Sequence, residues 1–361
     1  MAREAEAEKS MRVNWYLHSA QFGENGLPPL KFSCGALLLL LLAGLFGVSS
    51  VAAQQVSWQW DFFDVAVGAP DTVWLYGGGD VLRTTDGGRG WTRLRSASSV
   101  GADDNSPTQI QLLDAHTGWV LFDGSLLHRT TDGGRTWQVV EVKPPRPNTP
   151  YVTFLKRFQM VSPQVGFGLN SEGDLLLRTT DGGVTWRANP IQSGRVFFVE
   201  LTFLDGKRGW VSGNRPGLAA TDNGGQTWQA LPPGPSKGGY RLQFRSVEIG
   251  WLLEFNTFRL YRTLDGGQGW QACGAVPNNA EINGFFFLTT SLGWAASDNG
   301  VVLRSTDGCA SWQVIHAPIS KHLRAVHFID ARNGWAAGNE DGVVKTTDGG
   351  LTWTQVQVNV P

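Results

Sequence analysis

The sequence predicts an all-β fold, a seven-bladed β-propeller of four-stranded antiparallel blades, on three observations. A nine-residue box, "RTTDGGRTW" at 129–137, recurs in seven variants along the chain. A second motif, usually Gly-Trp, precedes each box tryptophan by 17 to 19 residues. The 361 residues include 46 glycines and 16 tryptophans and are only 17% charged, a composition of turns and aromatic packing more than of helices or disorder.

The boxes end at Trp91, Trp137, Trp186, Trp228, Trp270, Trp312 and Trp353, and neighbouring copies stand 41 to 49 residues apart. That period is the length of one four-stranded blade, and seven copies fall within the usual range of propeller blades. The second motif centres on Trp74, Trp119, Phe167, Trp210, Trp251, Trp294 and Trp335, so only Trp15, Trp58 and Trp60 lack a place in a repeat. Repeats are expected over about 61–98, 105–143, 151–192, 195–235, 239–276, 279–317 and 321–361.

Each repeat reads as four short strands. In the last, "LRAVHFID", "GWAAGN", "GVVKTT" and "WTQVQVNV" follow one another with turn chemistry between them. One such sheet cannot cover both its faces, whereas seven around an axis cover one another. The box supplies the turn before the fourth strand, because its glycines accept positive φ. Its acid, at Asp86, Asp132, Asp181, Asp265, Asp307 and Asp348, with Asn223 in the fourth copy, is expected to accept backbone N–H groups of the same turn. Asn223 keeps an acceptor oxygen without charge, as a turn tolerates and a catalytic acid does not. A residue repeated around a ring also cannot converge on one substrate. The box tryptophan should bury on the order of 150–250 Å² between blades.

Ahead of the repeats, "FSCGALLLLLLAGLFGVSSVAAQQ" follows Lys31 without a charge. Its apolar core, Gly35 to Val48, is shorter than the roughly 20 residues of a spanning helix and ends in small residues. Residues 1–53 are therefore expected to be an N-terminal extension and export signal cleaved after Ala53, with an uncleaved anchor as the competing reading. Cys34 precedes the apolar run, which does not fit a lipoprotein anchor. The propeller then spans 54–361, and "QQVSWQW" at 54–60 is a candidate ring-closing strand. Proline-rich "KPPRPNTP" and "LPPGPS" read as connections between blades, and "SVGADDNSP" as a longer exposed one. Export would permit a disulfide between Cys273 and Cys309; two free thiols in neighbouring repeats is the alternative.

The box pattern is similar to the Asp box, or BNR repeat, of sialidases, sortilin-type receptors and some glucanases. The paired unit "GW…RTTDGGxTW" at a period near 42 resembles more specifically the photosystem II stability and assembly factor family, over essentially all of the chain after residue 53. That resemblance implies a non-enzymatic seven-bladed propeller, with one Asp box per blade and no cofactor, on the lumenal side of a photosynthetic membrane. It also implies a protein partner such as a membrane protein or reaction-centre subunit, and a location in the periplasm, thylakoid lumen or extracellular space. Carbohydrate binding or glycosidase activity is the alternative from the wider box family, although the "FRIP" segment of sialidases is missing and no tyrosine sits in a glycosidase context.

Balanced charge, 30 basic against 31 acidic residues, points away from nucleic acid, and a monomer is expected. His322 and His327 fall on opposite faces of a strand, so no metal site is expected. The position before the box is Arg83, Arg129, Arg178, Arg262, Arg304 and Lys345, with Ala220 the exception. The resemblance implies an arginine-rich partner-binding surface; the alternative is that each cation covers its neighbouring tryptophan or pairs locally. A second basic set, Lys156, Arg157, Arg241, Arg245 and Arg324, falls in first strands that should line the channel.

Overall fold

Seven antiparallel sheets follow one another along the chain, each a meander of four consecutive strands, and together they form an all-β seven-bladed propeller. The computed structural model describes residues 61–94, 106–142, 154–191, 197–213, 217–235, 240–277 and 280–360. Residues 1–53, expected to be an export signal, the candidate closing strand 54–60, the linker 143–150 and most of the 99–107 connection lie outside the described residues. The innermost strands are Phe62–Ala69, Pro107–Leu112, Leu155–Met160, Phe198–Phe203, Tyr240–Phe244, Ile282–Phe287 and Leu323–Phe328.

Burial runs outward from the second strand. Strands such as Gly293–Ser297 and Gly334–Gly338 are buried at every residue, because both of their faces meet a neighbouring blade. Fourth strands are short and exposed: of the expected "WTQVQVNV" only Thr354–Gln355 pairs. An outer edge has one neighbour and faces water, so the remaining alternation is spent on packing Val356, Val358 and Val360 against the core.

The Gly-Trp motif has a steric cause. A Cβ on Gly293 would lie 2.2 Å from the ring of Phe287, which ends the preceding inner strand. Glycine leaves room for that ring, and the ring then stacks on Trp251 of the blade before, at 3.8 Å and 4°. The same glycine and phenylalanine meet at Gly209 and Phe203, Gly250 and Phe244, and Gly334 and Phe328. Trp210 stacks on Phe244 at 3.7 Å and Trp294 on Phe328 at 3.4 Å. The second-strand tryptophans, at 0–5% exposure, are thus the deeply buried set. Several box tryptophans, Trp137, Trp186, Trp228 and Trp270 among them, are only half-buried and meet these stacks edge-on where they reach them.

Seven apolar clusters fill the seven seams between blades. At the closing seam the seventh sheet, among the described residues, is made of Leu323–Phe328, Gly334–Gly338, Val343–Thr346 and Thr354–Gln355. Among the described residues, side chains join it to the first blade: Trp91 lies edge-on to Trp335 at 6.3 Å, and Lys345 Nζ donates to the Gly87 carbonyl at 2.6 Å.

The first seam contains a polar anomaly. His128 is 3% exposed, lies 4.5 Å from the ring of Phe122 and 6.2 Å from Trp137, and neither ring nitrogen has a partner among the described residues. Burial pushes its pKa down to about 4. Unfolded histidine titrates near 6.5, so below that pH the unfolded chain binds a proton that the folded one refuses. Stability is therefore complete above about pH 6.5 and falls as pH drops toward 4. Urea midpoints measured from pH 7 to pH 5 should decline, and His128→Phe should flatten the decline; an equal slope in the variant would show that His128 does not carry it.

Candidate functional site

The box closes on itself. In the second copy Thr130 Oγ1 donates to Asp132 Oδ1 at 2.7 Å, and the N–H of Gly134 donates back to Thr130 Oγ1 at 2.8 Å. Asp132 also accepts the N–H groups of Arg135 and Thr136 and the Thr136 hydroxyl. These donors, the Thr136 hydroxyl first, hold its carboxyl well below the usual carboxylate range. The Ser311 hydroxyl and N–H do the same for Asp307, at about 2. Asn223 repeats the scheme with its amide, accepting from Thr221 and from the N–H of Thr227 and donating to Thr227 Oγ1. A permanently ionised acid whose oxygens are filled from its own turn is a structural anchor and a poor proton donor.

In every blade the first box glycine donates its N–H to the loop joining strands one and two, for example Gly133 to the His116 carbonyl and Gly308 to the Ser291 carbonyl. Boxes and these loops therefore share one rim of the propeller. Second-strand tryptophans reach the same rim from the preceding blade: Trp119, Trp210, Trp251 and Trp294 donate from Nε1 to the carbonyls of Gly182, Gly266, Gly308 and Gly349.

The cations before the boxes complete these seams. Each pairs across the ladder with the second-strand aromatic, as Trp119 with Arg129 and Trp251 with Arg262. Arg129, Arg178 and Arg262 lie 5.9 Å from the rings of Trp119, Phe167 and Trp251, and Lys345 lies 5.8 Å from Trp335. The heads then cross to the next blade. Arg129 donates to Pro163, Arg262 to Thr290 and Asp307, Arg304 to Gly349 and Lys345 to Gly87, in each case at the carbonyl oxygen. Arg83 lies beside Asp132 and Arg135 of the second blade, and burial followed by repulsion from Arg135 lowers its pKa. All six are half-buried.

Around them Arg89, Arg135, Lys207 and Arg208 stand exposed on the rim of the first four blades. There a recess of about 670 Å³ is lined by Arg178, Asp205, Gly206, Lys207, Arg208 and Asp222, with Arg208 Nε held by Asp205 at 2.8 Å. Three cations thus border one concavity of the rim.

The channel is differently equipped. A cavity of about 240 Å³ runs between inner strands and is bordered by Gln109, Gln159, Glu200, Arg241 and Gln243 among others. Its glutamines staple blades together. Gln111 donates to the Met160 carbonyl and accepts the Met160 N–H, and Gln159 does the same with Phe203. An amide side chain thus substitutes for a neighbouring strand along an inner edge. The second basic set meets other residues of the protein, several of them on other blades. Arg241 and Arg157 lie near Asp64, whose pKa burial nonetheless raises. Arg245 lies 5.0 Å from the ring of Phe286, and Arg324 lies 5.4 Å from Phe63 and bonds Asn339. Lys156 lies close to Arg157 and Glu172. His327 lies tilted against the ring of Phe286 at 4.5 Å while His322 pairs with Asp298 at 2.7 Å, and among the described residues no cluster of potential ligands could hold a metal.

Cys273 and Cys309 are bonded, tying the end of the fifth blade to the box of the sixth. The glutamine staples and His128 escaped the sequence reading. Gln111, Gln159 and Gln243 share one repeat position, each preceding the last residue of its inner strand, and that alignment was the available signal.

Comparison with known proteins gives a consistent result. A family described as photosynthesis system II assembly factor YCF48 matches residues 48–156 and 150–275. YCF48 from Cyanidioschyzon merolae superposes with a TM-score of 0.60 at 19% identity, covering 80% of this chain and 96% of that one. A structure of YCF48 bound to D1 peptide gives 0.63 at 17% identity, covering 80% and 94%. Virginiamycin B lyase from Staphylococcus aureus gives 0.61 at 13% identity over 80% and 94%. At these identities the structural likenesses establish the fold alone. No curated protein matches the chain.

Proposed function

Because the chain belongs to the photosystem II assembly factor YCF48 family, we propose that it is an exported, non-catalytic scaffold that holds a segment of a partner protein against its arginine-rich rim. The observation that carries this reading is the recess where Arg178, Lys207 and Arg208 meet, a concavity of the rim in which Asp205 holds Arg208 and Asp222 is the other acid, so that cations outnumber acids three to two. YCF48 has been solved with a D1 peptide, and a peptide segment of a reaction-centre subunit is the partner class we propose here. Box acids filled by their own turns make poor proton donors, in keeping with a binding role.

The half-buried cations Arg83, Arg129, Arg178, Arg262, Arg304 and Lys345 serve the seams first and offer the partner only their outward donors. Reversing Arg129 or Arg178 would therefore disturb packing and binding together. The exposed Arg135 and Lys207 separate the two. Arg135→Glu with Lys207→Glu should leave the thermal midpoint within a few degrees and weaken capture of the partner about tenfold or more, with a steep dependence on salt. Capture should come from the native membrane fraction, and the native chain purified from the same cells should begin at Gln54 by intact mass. Unchanged capture would remove the rim as the binding surface. Turnover in a sialidase and glucanase screen would replace the scaffold with the carbohydrate-active alternative.

A further inference from the structure

Among the described residues, six of the seven seams are closed by a cation, and the seam between the fourth and fifth blades is not. Ala220 occupies that position, opposite Trp210 in the same register that sets Arg262 opposite Trp251, and it packs into the apolar cluster of that seam. The other seams describe what usually stands there. Beside the first box glycines Gly87, Gly133, Gly182, Gly224 and Gly308, the preceding blade's Lys345, Arg83, Arg129, Arg178 or Arg262 comes within 4 Å of where a Cβ would project. At the seam between the sixth and seventh blades, Arg304 bonds the Gly349 carbonyl directly. Beside Gly266 only the Val247 carbonyl comes that close, at 2.8 Å.

Everything else that receives an arginine is in place. The Val247 carbonyl is set against Gly266 as those of Pro163 and Thr290 are against Gly182 and Gly308, and those two accept from Arg129 and Arg262. Trp210 is 5% exposed, against 0–1% for the other second-strand aromatics. Val247, whose carbonyl lies against Gly266, and Leu264, two residues before that glycine, are exposed apolar residues at 40% and 53%, of the kind that the methylene stem of a long side chain covers.

We propose that this seam is a slot for an arginine presented by a partner protein, which completes the seam as the chain's own cations complete the others. The guanidinium lies over Trp210 and donates to the Val247 carbonyl. Arginine fits better than lysine because its planar fork serves a ring face and a carbonyl at once, and five of the six native occupants are arginine. The slot takes a cation where the rim of the first four blades presents cations, so it is independent of the binding surface proposed above.

The test is a titration of the full chain with N-acetyl-arginine amide, following the Trp210 indole N–H by NMR and assigning it with Trp210→Phe. A saturable shift of that resonance is expected, with the uncharged N-acetyl-citrulline amide binding about tenfold more weakly. Ala220→Arg should abolish the shift, raise the thermal midpoint and weaken capture of the partner. No saturation, equal binding of the citrulline compound, or a shift that persists in a folded Ala220→Arg protein would overturn the slot. A positive titration with capture unchanged by Ala220→Arg would overturn its docking role, and a dimer lost in that variant would assign the slot to a second copy instead. The titration needs no partner, so its failure is distinct from failure of the scaffold reading.

Discussion

Trp294→Ala is expected to lower the unfolding free energy by about 3–5 kcal/mol, the largest single-residue effect in the molecule. Trp294 is fully buried, lies 3.4 Å from Phe328 in a parallel stack, and donates from Nε1 to the Gly349 carbonyl of the next box at 3.0 Å. Alanine removes the stack and the donor and leaves a cavity between two blades that the rigid sheets cannot close. Trp294→Phe should cost far less. The third blade already uses Phe167 at this position, stacked on Phe203 at 3.6 Å, and the Gly349 carbonyl keeps Arg304 as a donor. Urea denaturation of the two variants tests this directly. Similar losses would mean that the hydrogen bond, and not the ring stack, dominates the seam.

Removing the disulfide is the second large effect. Cys273 and Cys309 are 36 residues apart, and closing a loop of that length restricts the unfolded chain by about 3–4 kcal/mol. Cys273→Ser with Cys309→Ser should lose most of that. Position 309 adds a finer test. It replaces the second box glycine and has φ 82, in the range of 80 to 97 that glycine adopts in the other six boxes. A side chain in that region costs about 1–2 kcal/mol. Cys273→Ser with Cys309→Gly should therefore recover about 1–2 kcal/mol relative to the double serine variant. Equal stabilities of these two variants would show that position 309 carries no such cost. A double serine variant as stable as the native protein, or a native protein indifferent to reductant in thermal unfolding, would show that the bond contributes little.

Asp132 was legible from sequence because its partners are local. Thr130, Arg135 and Thr136 are two to four residues away, so the motif itself names them. Arg129 was not. Its charge recurs in the repeat, but whether it faces a partner or the next blade depends on Pro163, 34 residues away. His128 reads as an ordinary strand residue until Phe122 and Trp137 are folded around it.

The sequence by itself determined the number of blades, the chemistry of the box turn and the strand order, because each follows from contacts within a repeat and the repeats can be counted along the chain. It also exposed Ala220 as the odd member of its column. Only the tertiary structure decided what that column does. The Trp119 indole reaches 63 residues along the chain to Gly182, and Lys345 reaches 258 residues back to Gly87. Such partners are set by how one rigid sheet leans on the next. The seam that Ala220 leaves without a cation becomes a site only when its six filled counterparts can be seen beside it.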